Sequence, residues 1–218
     1  MSQHTLTLLR FTYKKLKEKL TVSDSKKLFH EQFPYVIPGL YKRIVDEMLV
    51  ELNLLNHQNE FTQDHLFCIG LTEIFKELTK GYKPEQHLVL LFESLCSSTN
   101  FKAKEITEIS KKFQKEFNDK SSEDLLKLLK EKSNSKLYQS RILNLGIYTL
   151  ISNTKDYKEK NESEMNNMIS EIFEMLNLSS SKAEKDIGIY KSSISKMEQA
   201  KELIEELRIK DKKKEQKQ

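Results

Sequence analysis

Five histidines, His4, His30, His57, His65 and His87, are the first candidates for metal or proton chemistry in this chain. None stands in an H-E-x-x-H or E-x-x-H pattern, so neither a zincin helix nor a di-iron bundle is indicated. Glu47 and Glu51 lie one helical turn apart and are able to share a metal, but no histidine is placed to complete the site. A solvated acidic face, or intrahelical pairing with Arg43, is the plainer account of them. The few glycines are too scattered for a phosphate-cradling loop, a G-x-G-x-x-G fingerprint or a nucleophile elbow. A Ser–His–Asp set need not be local in sequence, and nothing here raises it above background. Cys68 and Cys96 fall within apolar helical patterns and read as reduced core thiols. The sequence therefore points to no catalytic, cofactor-binding or metal-ligating residue.

Arginine usage is more telling. Of 37 basic residues only Arg10, Arg43, Arg141 and Arg208 are arginine. In a chain that otherwise uses lysine, arginine suggests a need for planar, forked hydrogen bonding, against which stands plain chance in codon usage. Arg43 and Arg141 adjoin the two strongest core helices. Each is expected to pair with a carboxylate at a helix junction, and Asp46, Glu47 and Glu51 are the candidates for Arg141. Arg43, Asp46, Glu47, Glu51 and Arg141 together are the expected partner-binding surface.

The elements that must position these residues are helical. Five Gly and three Pro leave turns sparse, and 32% charged residues imply wide solvated faces. From Pro38 to Asn56, Tyr41, Ile44, Val45, Met48, Leu49, Leu52 and Leu55 recur at helical spacing, and Val50 and Leu54 widen the stripe. A helix so apolar is expected to be the central one of a bundle. Further helices are expected from Val22 to before Pro34, over 62–80, 85–97, 102–118, 122–132 and 137–152, and over 165–176. The segment 33–38 reads as an extended connector, because each proline turns its predecessor away from the helical region. Capping boxes are expected at Thr21–Asp24, Ser121–Asp124 and Ser181–Glu184. Gly70 and Gly146 interrupt apolar runs, where glycine costs roughly 1 kcal/mol against alanine. Both are expected at tight helix crossings, with the central helix as a candidate neighbour.

The longest helix is expected over 181–207. Ile187, Tyr190, Ile194 and Met197 keep heptad spacing, and Ala200, Ile204 and Leu207 continue it after a three-residue step, as in a coiled-coil arm with a stammer. The polar stretch 153–164 is expected to be a flexible linker, and 208–218 a disordered basic tail. Residues 1–20 read as a basic amphipathic arm, with Leu6, Leu9, Tyr13, Leu16 and Leu20 on one side. Both ends are basic and the body between them is mildly acidic, which argues against nucleic acid as partner. No apolar run approaches roughly 18 residues and no export signal is legible, so a cytosol-like compartment is expected. The fold class is all-α: a single helical bundle with a long C-terminal amphipathic, coiled-coil-like helix.

Several stretches together resemble the thylakoid formation protein family, also called the photosystem II biogenesis protein 29 family, in its cyanobacterial form. They are TVSDSK (21–26), IPGLYKRIVDEMLVELNLL (37–55), FCIGLTEIF (67–75), KGYKPE (80–85), SRILNLGIYTL (140–150) and EKDIGIYKSSISKMEQAKELIEE (184–206). They occur in the family's order and cover about residues 21 to 207; residues 1–20 precede the usual start. The resemblance implies a non-enzymatic all-helical protein on the cytoplasmic or stromal face of thylakoids. It implies roles in photosystem II assembly and repair and in the stability of FtsH-type AAA proteases, with peripheral contact to the anionic membrane and no cofactor. Two other readings stand beside it: a lipid-surface organising protein without a protein partner, and a cryptic metal-dependent helical-bundle enzyme.

Overall fold

The computed structural model describes residues 19–117, 120–132, 137–157 and 160–215. The expected N-terminal arm, apart from its last two residues, lies outside them. Among the described residues there are nine helices and no strand. They are α1 (Val22–Gln32), α2 (Gly39–Asn56), α3 (His65–Leu78), α4 (His87–Ser97), α5 (Ala103–Phe117), α6 (Ser122–Lys132), α7 (Arg141–Ser152), α8 (Glu162–Met175) and α9 (Ser180–Glu215).

The centre of the bundle is the crossing of α3 and α7, not α2. α3 packs most extensively on α7 and next on α5, whereas α2 rests on α1 and α4. α3 buries Leu66, Phe67, Cys68, Ile69, Leu71, Ile74 and Phe75 around nearly its whole circumference. α2 buries Tyr41, Val45, Met48, Leu49 and Leu52 but leaves Ile44 and Val50 half-buried and Leu54 52% exposed. The residues that widened its stripe line open surface, so α2 is an amphipathic flank of the core.

Gly70 and Gly146 make the central crossing with each other. A methyl group on Gly70 would stand 1.9 Å from the Ile142 carbonyl oxygen and 2.9 Å from the Gly146 nitrogen. One on Gly146 would stand 2.0 Å from the Leu66 carbonyl oxygen and 3.0 Å from the Gly70 nitrogen. The two backbones touch, and only hydrogen fits between them. Beside this contact the Thr72 and Ser110 hydroxyls share a 2.7 Å hydrogen bond between α3 and α5.

Helix starts follow side-chain chemistry. Thr21 and Asp24 form a reciprocal capping box at α1, and Asn161 and Glu164 form another at α8. Asp64 accepts from the Phe67 N–H at 2.8 Å to open α3, and Ser140 accepts from the Leu143 N–H at 3.1 Å to open α7. Ser121 accepts from the Asp124 N–H at 3.2 Å at α6. The third expected box is not made: Ser179 caps α9 by accepting from the Lys182 N–H, while the Glu184 carboxylate accepts from Ser170 on α8.

The stretch 153–164 is not a free linker where it is described. Thr154 is buried, Tyr157 packs edge-on against Tyr148, and the Asp156 carboxylate accepts from the Ser122 N–H at 2.9 Å. α8 then begins at Glu162, inside the expected linker. The polarity there serves capping as well as solvation.

α9 docks on α7 and α8 and touches α3. Ile187 and Met197 are buried, Tyr190 and Ile194 half-buried. Beyond them Leu203, Ile204 and Leu207 are 58%, 39% and 51% exposed. The first half of the heptad stripe therefore covers the protein's own body and the second half projects from it. The helix continues to Glu215, so the tail expected to be disordered from residue 208 is helical that far. Arg208, the run of lysines and Glu215 are good helix formers, which net charge alone does not show.

Cys68 and Cys96 are free and fully buried, and burial pushes each thiol up to about 12, with smaller contributions from nearby carboxylates at Cys68 and from Cys68 and Glu93 at Cys96. Reaction requires exposed thiolate. Neither thiol is expected to react with a maleimide at neutral pH in the folded protein, and both are expected to react in guanidinium; labelling of the native chain, read by mass spectrometry, would contradict this placement.

Candidate partner-binding cleft

The outward face of α2 carries the residues singled out by type and spacing, and the fold collects all five on one surface. Arg43 Nε donates to Glu47 Oε1 at 2.8 Å, one turn along the same helix. This pair is exposed and is not the helix-junction contact expected of Arg43. Asp46 reaches across to Lys26 of α1 at 3.4 Å. Arg141, the first residue of α7, donates to Glu51 across the α2–α7 junction. Of the three carboxylates expected as candidates, Glu51 is the one that engages Arg141.

The Glu51 side chain is only 19% exposed. Burial raises its pKa above the ordinary carboxylate value; attraction and hydrogen bonding from Arg141 pull the other way, and the neighbouring Asp186 and Glu47 carboxylates add to the rise. The pair is thus a structural clamp between helices. A second polar set lies beside it. Asn144, fully buried in the apolar run of α7, donates to Asp186 of α9 at 2.8 Å and accepts from Gln139 at 3.2 Å. Gln139 is fixed in turn by the Ser179 backbone at both ends of its amide. These contacts join α2, α7 and α9 into one rigid wall.

Two hollows open along this wall. The larger, about 790 Å³, has Val50, Leu54 and Tyr138 as its apolar lining, with Lys42 and Lys182 at its edge. The smaller, about 300 Å³, lies among Ile44, Ile74, Ile189 and Met197, with Lys196 beside it. Arg43, Glu47, Glu51 and Arg141 border both. Sequence reasoning missed the lysines and the Tyr138–Gln139 segment, because the pattern predicts helix over residues 137–140, which lie outside any helix. The buried Asn144 had a legible signal: a single amide within ILNLG.

The two carboxylates with metal-sharing spacing are each turned onto an arginine. Among the described residues no three His, Cys, Asp or Glu side chains gather to hold an ion. The arrangement offers an apolar hollow rimmed by charge, suited to docking a side-chain stripe.

The chain is similar to known proteins over most of its length. A family model described as thylakoid formation protein matches residues 21–218. A protein named Thf1 from Prochlorococcus marinus (strain MIT 9312) is 83% identical over 199 residues, spanning 91% of this chain and 99% of that protein. Its counterpart from P. marinus subsp. pastoris (strain CCMP1986 / NIES-2087 / MED4) is 72% identical, spanning 91% and 98%. The solved structure of Psb29 shares the fold, with a TM-score of 0.79 at 24% identity over 91% of this chain and all of that one.

Proposed function

The chain belongs to the thylakoid formation protein family, and from that premise we propose that it is a non-enzymatic factor in thylakoid biogenesis and photosystem II assembly and repair. In this reading it binds FtsH-type membrane proteases and stabilises them, working from the cytoplasmic side of the thylakoid. The observation that carries a binding role is the rigid wall of α2, α7 and α9, whose charged and apolar groups border two adjoining hollows. No helix of the described residues is long and apolar enough to cross a membrane. Membrane contact in this reading is peripheral, through lysines of the chain ends. Each is worth about 1 kcal/mol near an anionic surface and is screened by salt.

The test is a pull-down from detergent-solubilised thylakoids using the full chain, a chain starting at Thr21, a chain ending at Leu207 and the Leu54→Glu variant, which places a charge on the apolar lining of the larger hollow. Co-elution of the protease with the first three, and its reduction with Leu54→Glu, is the expected result. Capture that is lost on either truncation moves recognition to that end of the chain. Absence of protease from every eluate overturns the reading.

A second reading, a lipid-surface organiser without protein partner, is favoured by the projecting end of α9, where Leu203, Ile204 and Leu207 are exposed and are followed in sequence by the lysine-rich residues 210–217. Co-sedimentation with anionic liposomes that survives high salt is its expected signature.

A further inference from the structure

The face of α2 looks acidic in sequence, yet its carboxylates are already engaged. Asp46 is held by Lys26 at 3.4 Å, Glu47 by Arg43 at 2.8 Å and Glu51 by Arg141. What remains around the two hollows is lysine. Lys42, Lys182 and Lys196 are exposed, and none lies within ion-pair distance of a carboxylate among the described residues. Among the described residues Lys182 Nζ donates only to the Gln139 carbonyl oxygen, at 2.7 Å. The hollows meet along α2, whose 18 residues make a wall about 27 Å long at the helical rise.

We infer that the element seated here is an amphipathic helix of a protein partner, with an apolar stripe flanked by carboxylates. This rests on the reading of the wall as a partner site and specifies the chemistry of the partner. Apolar anchors at helical spacing would enter the hollow over Val50 and Leu54. Flanking carboxylates would meet Lys42 and Lys182, and would compete with Glu47 for Arg43. That exchange costs little, because the Arg43 side chain is 87% exposed and a surface ion pair is worth less than about 1 kcal/mol. A basic helix would bring cations against uncompensated lysines, which complementarity disfavours. A bilayer would satisfy the lysines, but a flat surface leaves the apolar lining of a concave hollow unfilled.

The test uses two synthetic fluorescent peptides with the same leucine stripe, one flanked by glutamates and one by lysines, titrated with the full chain by anisotropy. The glutamate peptide is expected to bind at least roughly tenfold more tightly, and to weaken as salt rises. Lys42→Glu/Lys182→Glu, and separately Leu54→Glu, are expected to weaken it by a similar factor without moving the thermal midpoint, since all three positions are exposed. Equal binding of the two peptides, or tighter binding of the lysine peptide, overturns the inference. So does a Lys42→Glu/Lys182→Glu chain that captures the protease as well as wild type does, and that result leaves the partner reading intact. Binding to anionic vesicles that the same variant abolishes, with neither peptide bound, assigns the lysines to lipid and overturns it as well. Failure of wild type to capture the protease sinks the partner reading alone, because the peptide titration still decides what chemistry the cleft accepts.

Discussion

Gly70→Ala is expected to lower the free energy of unfolding by about 3–5 kcal/mol, a large part of what holds a domain together. The added methyl would sit 1.9 Å from the carbonyl oxygen of Ile142, which is backbone and cannot rotate away. The helices must part by more than an ångström, at the crossing around which Leu66, Leu71, Leu143 and Ile147 are all packed to near-complete burial. Interiors at crystal-like density absorb such a shift poorly. Alanine's better helix propensity, about 1 kcal/mol, offsets only a fraction. Gly146→Ala meets Leu66 in the same way and should cost a similar amount. The double variant should cost less than the sum, since helices already parted by one methyl have room for the second. Gly188 is the control: it lies in α9 with nothing within 4 Å of a notional methyl, so Gly188→Ala should be neutral or stabilise by up to about 1 kcal/mol. Urea unfolding followed by circular dichroism reads all four. A Gly70→Ala loss below about 1 kcal/mol would mean the crossing relaxes freely and the contact is not what centres the fold.

The same glycines show how far the sequence could be read. A glycine within FCIGLTEIF or ILNLGIYTLI conflicts with local propensity, so each announced a close approach without naming its partner. The partner is set by which two helices cross, and helical periodicity carries no such long-range information. For the same reason α2 was read as the centre: its pattern is dense, but whether Val50 and Leu54 meet a neighbour or water depends on an element elsewhere in the chain. Caps were legible where the chemistry is local, as at Thr21–Asp24 and Ser121–Asp124, and failed at Ser181, where Ser179 stood two residues earlier with the same chemistry. In the candidate site the arginines were the useful signal. Arg141 could be matched to the acidic face of α2 by residue type, while the lysines that set the charge of the cleft were hidden among the many lysines of the chain. Side-chain exposure decides which of them are uncompensated, and exposure is a property of the assembled wall.

Arg141→Ala is expected to give a protein whose stability falls as pH rises from about 4.5 toward neutrality, with a deficit of about 2 kcal/mol at neutral pH. In the native chain burial already holds the Glu51 pKa above its ordinary value despite the attraction of Arg141. Removing the guanidinium deletes both influences that lower it and leaves burial together with the Asp186 and Glu47 carboxylates, which all raise it. Below the ordinary value Glu51 is protonated in folded and unfolded chains alike, and the variant lacks only a hydrogen bond. Above it the unfolded chain releases the proton while the folded one keeps it. The unfolded state then binds fewer protons, so stability declines with pH until the raised folded pKa is passed. The wild-type chain should show the same sign with a smaller amplitude. Glu51→Gln added to Arg141→Ala removes the buried charge, and should recover most of the deficit at neutral pH and flatten the profile. Unfolding free energies of the three chains measured between acid and neutral pH decide it. A deficit in Arg141→Ala that is constant with pH, or no recovery in the double variant, would show that Glu51 reaches solvent once its partner is gone, and that the clamp between α2 and α7 acts through packing alone.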